Sequence, residues 1–119
     1  MPVKLAVLKE TRANEKRVAL VPAVADKLAR LGCEVSLQTG AGDAVKLPNT
    51  AFKNVHAIAN PQGMVGDADI VCAVQAPSLE VVDAMKEGSV LLSFIYAHKE
   101  PELTKLLRDK KITCFTMEL

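Results

Sequence analysis

Val3-Lys-Leu-Ala-Val-Leu8, followed by Lys9-Glu-Thr-Arg-Ala-Asn-Glu-Lys-Arg-Val-Ala-Leu-Val-Pro22, is the stretch from which the fold can be read. The first six residues form an apolar strand. Pro22 opens a helix, because its fixed φ suits the first helical turn and its missing N–H is not needed there. Between them lies a charged loop with four cationic side chains, Lys9, Arg12, Lys16 and Arg17. In open α/β sheets, ligands bind at the loops on the carboxyl ends of the strands, where several strand ends share one crevice. Arg17 directly precedes the apolar run Val18-Ala-Leu-Val21, so packed backbone is expected to anchor its guanidinium. A planar fork of five donors held that way suits a carboxylate or a phosphate. The alternative is a solvated charged loop in which Glu10 and Glu15 pair with Lys and Arg.

Outward from this stretch, short apolar runs alternate with amphipathic ones, the pattern of a parallel sheet with crossover helices. The strands are expected near 3–8, 34–39, 55–59, 70–75, 90–96 and 112–117. A helix over 22–32 carries Val24, Leu28 and Leu31 on one face and has Gly32 at its end. A second, over 101–109, opens at Pro101 and spaces Leu103, Leu106 and Leu107 helically. Ser78 can cap a third over 79–86, with Glu80 in its first turn and Gly88 beyond. Residues 49–54 read as a shorter helix capped by Asn49 or Thr50. No repeat, low-complexity tract or linker interrupts the chain. The expected fold class is α/β: a three-layer, flavodoxin-like parallel sheet with crossover helices, as one domain over 1–119. The segment Ile112 to Leu119 is an apolar strand with nothing to close it, so we expect the N-terminal piece of a longer protein.

Half of the 119 residues are hydrophobic, enough for a real core, and the formal net charge is +1. With three Phe, one Tyr and no Trp, and with no basic stripe, little supports a nucleic-acid partner. The longest apolar runs are far too short to span a membrane. Cys33, Cys72 and Cys114 show no metal-ligand spacing and read as small buried thiols. His56 lies in a strand pattern and reads as structural. His98 and Lys99 follow the fifth strand and read as a solvated loop.

Two specific chemistries fail on particular residues. A dinucleotide fingerprint needs strand, glycine turn and helix N-terminus together. Gly40-Ala-Gly42 lacks the third glycine and a following helix, so it reads as a turn, and no complete nucleotide site is expected. A phosphoacceptor receiver needs paired acidic residues after its first strand and an acceptor Asp after its third. Leu8-Lys-Glu10 gives one carboxylate beside a lysine, and the third strand runs out in Ala59-Asn-Pro61.

The wording of the chain adds a resemblance. Lys9-Glu10, then Asn14-Glu-Lys-Arg-Val-Ala19 and Pro22, resembles the opening of the alanine dehydrogenase and pyridine-nucleotide transhydrogenase family. The likeness continues through Gly32-Cys-Glu-Val-Ser-Leu-Gln-Thr-Gly-Ala-Gly42, Ala68-Asp-Ile-Val-Cys-Ala-Val-Gln-Ala-Pro77, Leu92-Ser-Phe-Ile-Tyr96 and Ile112-Thr-Cys-Phe-Thr-Met-Glu-Leu119. Asn54-Val-His56 departs from it, where the family usually has small residues and a glycine. In this family the segment leads on into a Rossmann NAD-binding domain, and the present residues would form one wall of the nicotinamide cleft.

The resemblance also separates two branches. Its alanine dehydrogenases hold pyruvate with the loop arginine, a lysine at the fourth strand and a histidine ending the fifth. Those positions here are Arg17, Ala73 and Tyr96. Alanine can supply no charge, and the pKa of tyrosine is several units too high to replace histidine. Val74-Gln-Ala-Pro77 and Thr116-Met-Glu-Leu119 look closer to the transhydrogenase α subunit.

That branch implies hydride transfer between NAD(H) and NADP(H), coupled to proton movement. Its cofactors are NAD(H) and NADP(H) in the complete enzyme, with none expected tightly bound to this piece. Its partners are the Rossmann domain of the same protein and the NADP-binding and membrane-spanning components; a homodimer of the α subunit is compatible. The expected location is the cytoplasmic side of a bacterial inner membrane, or the matrix side of a mitochondrial one. Arg17 and Gln75 are the expected cleft-lining, cofactor-binding residues, with Tyr96 behind them; no metal ligand and no catalytic group is assigned. The other readings are an alanine-dehydrogenase-like oxidoreductase and a stand-alone, non-catalytic interaction domain.

Overall fold

The computed structural model describes residues 3–52, 55–95 and 99–116. Within them, six strands form one wholly parallel sheet: β1 (Lys4–Val7), β2 (Glu34–Gln38), β3 (Val55–Ile58), β4 (Ile70–Cys72), β5 (Val90–Ser93) and β6 (Thr113–Thr116). Four helices connect them: α1 (Pro22–Arg30), α2 (Pro61–Gly66), α3 (Leu79–Ala84) and α4 (Pro101–Asp109). The expected parallel sheet with crossover helices is present. Its strand order is β3-β2-β1-β4-β5-β6. This is the doubly wound six-strand order, reversing between β1 and β4, whereas a flavodoxin sheet sets its third strand beside the first. The register across the reversal pairs Leu5 with Ile70 and Val7 with Cys72.

Successive residues of β1 point to opposite faces, and each face has its own core. Leu5 and Val7 pack with Val35, Leu37, Leu20 and Ala25 on the α1 side. Ala6 and Leu8 pack with Val71, Leu91, Val65, Val82 and Leu103 on the side of α2, α3 and α4. Each fully buried Val or Leu contributes about 1.5–3 kcal/mol, so the two faces together hold the sheet.

The helix ends follow local chemistry. In α1, Cys33 N–H reaches back to Leu28 O at 3.0 Å while Gly32 takes φ +95°, a left-handed step open to glycine. This helix buries Ala25, with Leu28 packed beside it, whereas Val24 is 44% and Leu31 81% exposed. The apolar face drawn through Val24 and Leu31 is therefore rotated away from the sheet. Ser78 caps α3 as expected, its Oγ accepting from Val81 N–H.

Two elements differ from expectation. Of the helix expected over 49–54, the described residues 49–52 give a 3₁₀ turn, Asn49–Ala51, and Asn49 does not cap it. Its Oδ1 instead accepts from Gly40 N–H at 3.0 Å, bracing the glycine turn. That turn has no room for a side chain, since a Cβ on Gly42 would lie 2.4 Å from Leu47 O. The second difference is α2, which the sequence reading did not place. Asn60 Oδ1 accepts from the N–H groups of Gln62 and Gly63, Pro61 takes the first helical position, and Met64 and Val65 are buried.

Candidate functional site

The loop from Lys9 to Val21 leaves β1 at the reversal of strand order and leans across the end of β4. Glu10 makes the first tie. Its two carboxylate oxygens accept from Val74 N–H and Gln75 N–H, each at 2.8 Å. Burial raises its pKa above the ordinary value, and these two hydrogen bonds offset part of that rise. Arg12 makes the second tie, donating from Nε to Ala76 O at 3.0 Å and from Nη2 to Glu100 at 2.8 Å. Asn14 takes φ +68°, a left-handed step that asparagine tolerates better than most residues, and the chain turns back there.

Glu15 makes the third tie and gathers the site residues. Its Oε2 accepts from Arg17 N–H at 3.0 Å and Arg17 Nε at 2.9 Å. Its Oε1 accepts from Arg17 Nη2 at 2.9 Å and Gln75 Nε2 at 2.8 Å. The Glu15 side chain is only 8% exposed, against 61% for Arg17. The guanidinium and amide donors, Arg17 first, hold its carboxyl down at about 2. Arg17 also stands over the Phe94 ring, 6.0 Å from its centroid, at the outer limit of a cation–π contact.

Arg17 and Gln75, named from the sequence on separate grounds, thus meet on one carboxylate. Tyr96 and His98 lie outside the described residues, as do Asn54 and the segment 117–119. Glu15 and the face of Phe94 hold the guanidinium of Arg17. The carboxylate it grips is the protein's own. Glu10 binds backbone amides and not a Lys or Arg, because the loop brings it over the unpaired N–H groups at the end of β4. Phe94 was missed, although its place two residues after Leu92 puts it on the same face of the strand run.

A cleft of about 190 Å³ opens beside this network, between the loop and the glycine turn after β2. Lys9, Lys16 and Arg17 line it together with Glu10, Glu15 and Asp43. A wider groove of about 400 Å³ lies between α3 and α4, but helix side chains alone line it, far from the reversal point. Other candidates carry less chemistry. The thiol of Cys72 is pushed up to about 11 by burial, which leaves it protonated and unreactive at neutral pH. All three cysteines are only partly buried. His56 is exposed on the edge strand β3 and is not a core histidine. Lys99 is exposed, in line with a surface loop. Among the described residues, no three His, Cys, Asp or Glu side chains gather as a metal site.

The family model described as alanine dehydrogenase/PNT, N-terminal domain, matches residues 6–119. The chain is 34% identical to the NAD(P) transhydrogenase subunit alpha of Haemophilus influenzae over 114 residues, covering 96% of this chain and 22% of that protein. It is 36% identical to the alanine dehydrogenase of Bacillus subtilis over 116 residues, covering 96% of this chain and 30% of that one. A solved L-alanine dehydrogenase superposes with a TM-score of 0.88 at 22% identity, over 96% of this chain and 32% of its own. The chain therefore spans less than a third of the length of these relatives, and the two activities are similarly close to it.

Proposed function

We propose that this chain, which belongs to the alanine dehydrogenase/PNT N-terminal domain family, serves as the N-terminal domain of the α subunit of a proton-translocating NAD(P) transhydrogenase. The complete protein would transfer hydride between NAD(H) and NADP(H). This domain would form one wall of the cleft that takes the nicotinamide, with Arg17 and Gln75 lining it and Tyr96 behind them. Its partners would be the Rossmann domain of the same protein and the NADP-binding and membrane components. The membrane side would be cytoplasmic in a bacterium, or the matrix side in a mitochondrion.

The observation that carries this reading is Ala73. It is 7% exposed, its N–H donates to Leu92 O at 3.0 Å, and its methyl belongs to the apolar core on the α2 side. A keto-acid site needs a cation there to polarise its substrate, and a buried methyl gives none. The alanine dehydrogenase reading is favoured by the 36% identity to the B. subtilis enzyme and by the presence of Arg17. The two separate in one assay on the complete protein. Transfer from NADH to an NADP⁺ analogue, without alanine-dependent NADH formation, is the expected result. Alanine-dependent NADH formation without such transfer would overturn the proposal.

A further inference from the structure

Helix α1 turns an apolar stripe to solvent. Val24 is 44% exposed and Leu31, at the C-cap, 81% exposed, and their spacing puts both on one face, two turns apart. Exposed Lys27 lies three after Val24 and four before Leu31, so it shares that face. Arg30 stands nearby, paired to Asp26 at 2.9 Å. An exposed leucine by itself is ordinary; here the same molecule also carries a matching surface. On the other side of the sheet, Leu79, 42% exposed, and Leu106 line the groove of about 400 Å³ between α3 and α4. Glu80, Asp83 and Glu102 outnumber Lys105 among its charges. Elsewhere acids meet cations directly, as Asp67 meets Lys4, Asp69 meets Lys86 and Glu100 meets Arg12. Among the described residues, the three groove carboxylates enter no such pair. Glu80 and Glu102 have a local reason to be acidic, since each sits in the first turn of its helix. Asp83 has none. It is one residue from the end of α3, where the helix dipole disfavours an anion, and Lys110 donates to its backbone carbonyl.

We propose that the α3–α4 groove is an interface for a second copy of this chain, which docks its α1 there. Val24 and Leu31 of one copy meet the apolar lining of the other, and Lys27 meets its acidic rim. Each surface supplies the charge that the other lacks, and both bring apolar side chains already exposed. Because α1 and the groove lie on opposite sides of the sheet, the contact is head-to-tail. A copy engaged through its α1 still offers its own groove, so association runs past the dimer, to a ring where the rotation closes. The contact is small, and its dissociation constant is on the order of 0.1–1 mM. Neither surface borders the loop–sheet cleft, so this contact is independent of the hydride-transfer reading.

Sedimentation equilibrium of the chain from about 10 μM to about 1 mM tests this. The average mass is expected to pass that of a dimer with rising concentration, and added salt is expected to lower it. Leu31→Ser changes a side chain too exposed to support the fold, and it should weaken association about tenfold or more. Lys27→Glu and Asp83→Lys should each weaken it as well, and a lysine suits the last turn of α3. The chain carrying both reversals should regain association, because opposite charges again face each other across the contact. If Asp83→Lys fails to fold, Leu31→Ser and Lys27→Glu decide. Amide shifts on dilution should fall together on residues 24–31 of α1 and on residues 79–83 and 102–106 beside the groove. A chain that stays monomeric at the top of the concentration range overturns the proposal, as does a pair whose shifts lie on α1 alone. Association indifferent to Leu31→Ser and to the charge reversals overturns it too.

Discussion

Glu15 and Glu10 lie five positions apart on one loop and titrate in opposite directions. Arg17 and Gln75 lower the Glu15 carboxyl from 4.5 to about 2. A depressed folded-state pKa adds stability that is fully present above 4.5 and is lost as pH falls toward about 2. Glu10 is raised above 4.5, chiefly by burial, so its share is present below 4.5 and is lost as pH rises through the higher folded value. Glu15→Gln cannot titrate. Urea midpoints of wild type and variant should therefore differ more at about pH 6 than at about pH 2.5. An equal gap at both pH values would mean that Arg17 does not hold Glu15 as described. The pair Glu15 and Arg17 was visible in the sequence as opposite charges two apart. Gln75 Nε2 on the same carboxylate was not, because 60 residues of chain separate the two.

At the scale of elements, the helices with strong boundary signals were legible and the short one was not. Pro22 and Pro101 marked α1 and α4 at the residues where they begin. α2 has six residues, of which Gly63 and Gly66 are poor helix formers, so no apolar period emerges. Its only local signal is Asn60-Pro61, a cap followed by the residue best suited to the first turn. The element exists because a parallel strand must be reached by a crossover, and Met64 and Val65 then fill the core beneath it. Asn60→Ala leaves two N–H groups without their acceptor and should cost about 1 kcal/mol, read from chemical denaturation. Amide exchange should quicken over residues 61–66 more than elsewhere. A uniform change across the chain would contradict a local cap. The register of α1 shows the converse limit. Ala25, not Val24 or Leu31, meets the sheet, because a small residue lets the helix axis approach closely.

At the scale of the whole molecule, the two cores lie on opposite faces of one sheet and are joined through it. Val35, in β2, is fully buried on the α1 face, and Leu91, in β5, is fully buried on the other. Three strand spacings, about 14 Å, separate β2 from β5. Leu91→Ala should cost about 2–5 kcal/mol. Combined with Val35→Ala, the two losses should add to within about 0.5 kcal/mol. Unfolding should still be one transition, since removing either helical layer exposes the same strands. Two separate transitions would mean that the layers fold independently.

The six strands, the helices opened by Pro22 and Pro101, the parallel class and the end of the sheet at which the charged loop lies were set by sequence alone. They depend on local periodicity, on prolines at helix starts and on the side of each strand where the charged loop falls. The family likeness, too, rests on motifs in order along the chain. Strand order and the partners of the site came only from tertiary structure. Placing β4 and not β3 beside β1 brings the amides of Val74 and Gln75 under Glu10, and Gln75 onto Glu15. Local residues cannot encode that choice, because it is decided by which apolar faces bury one another after every loop has closed.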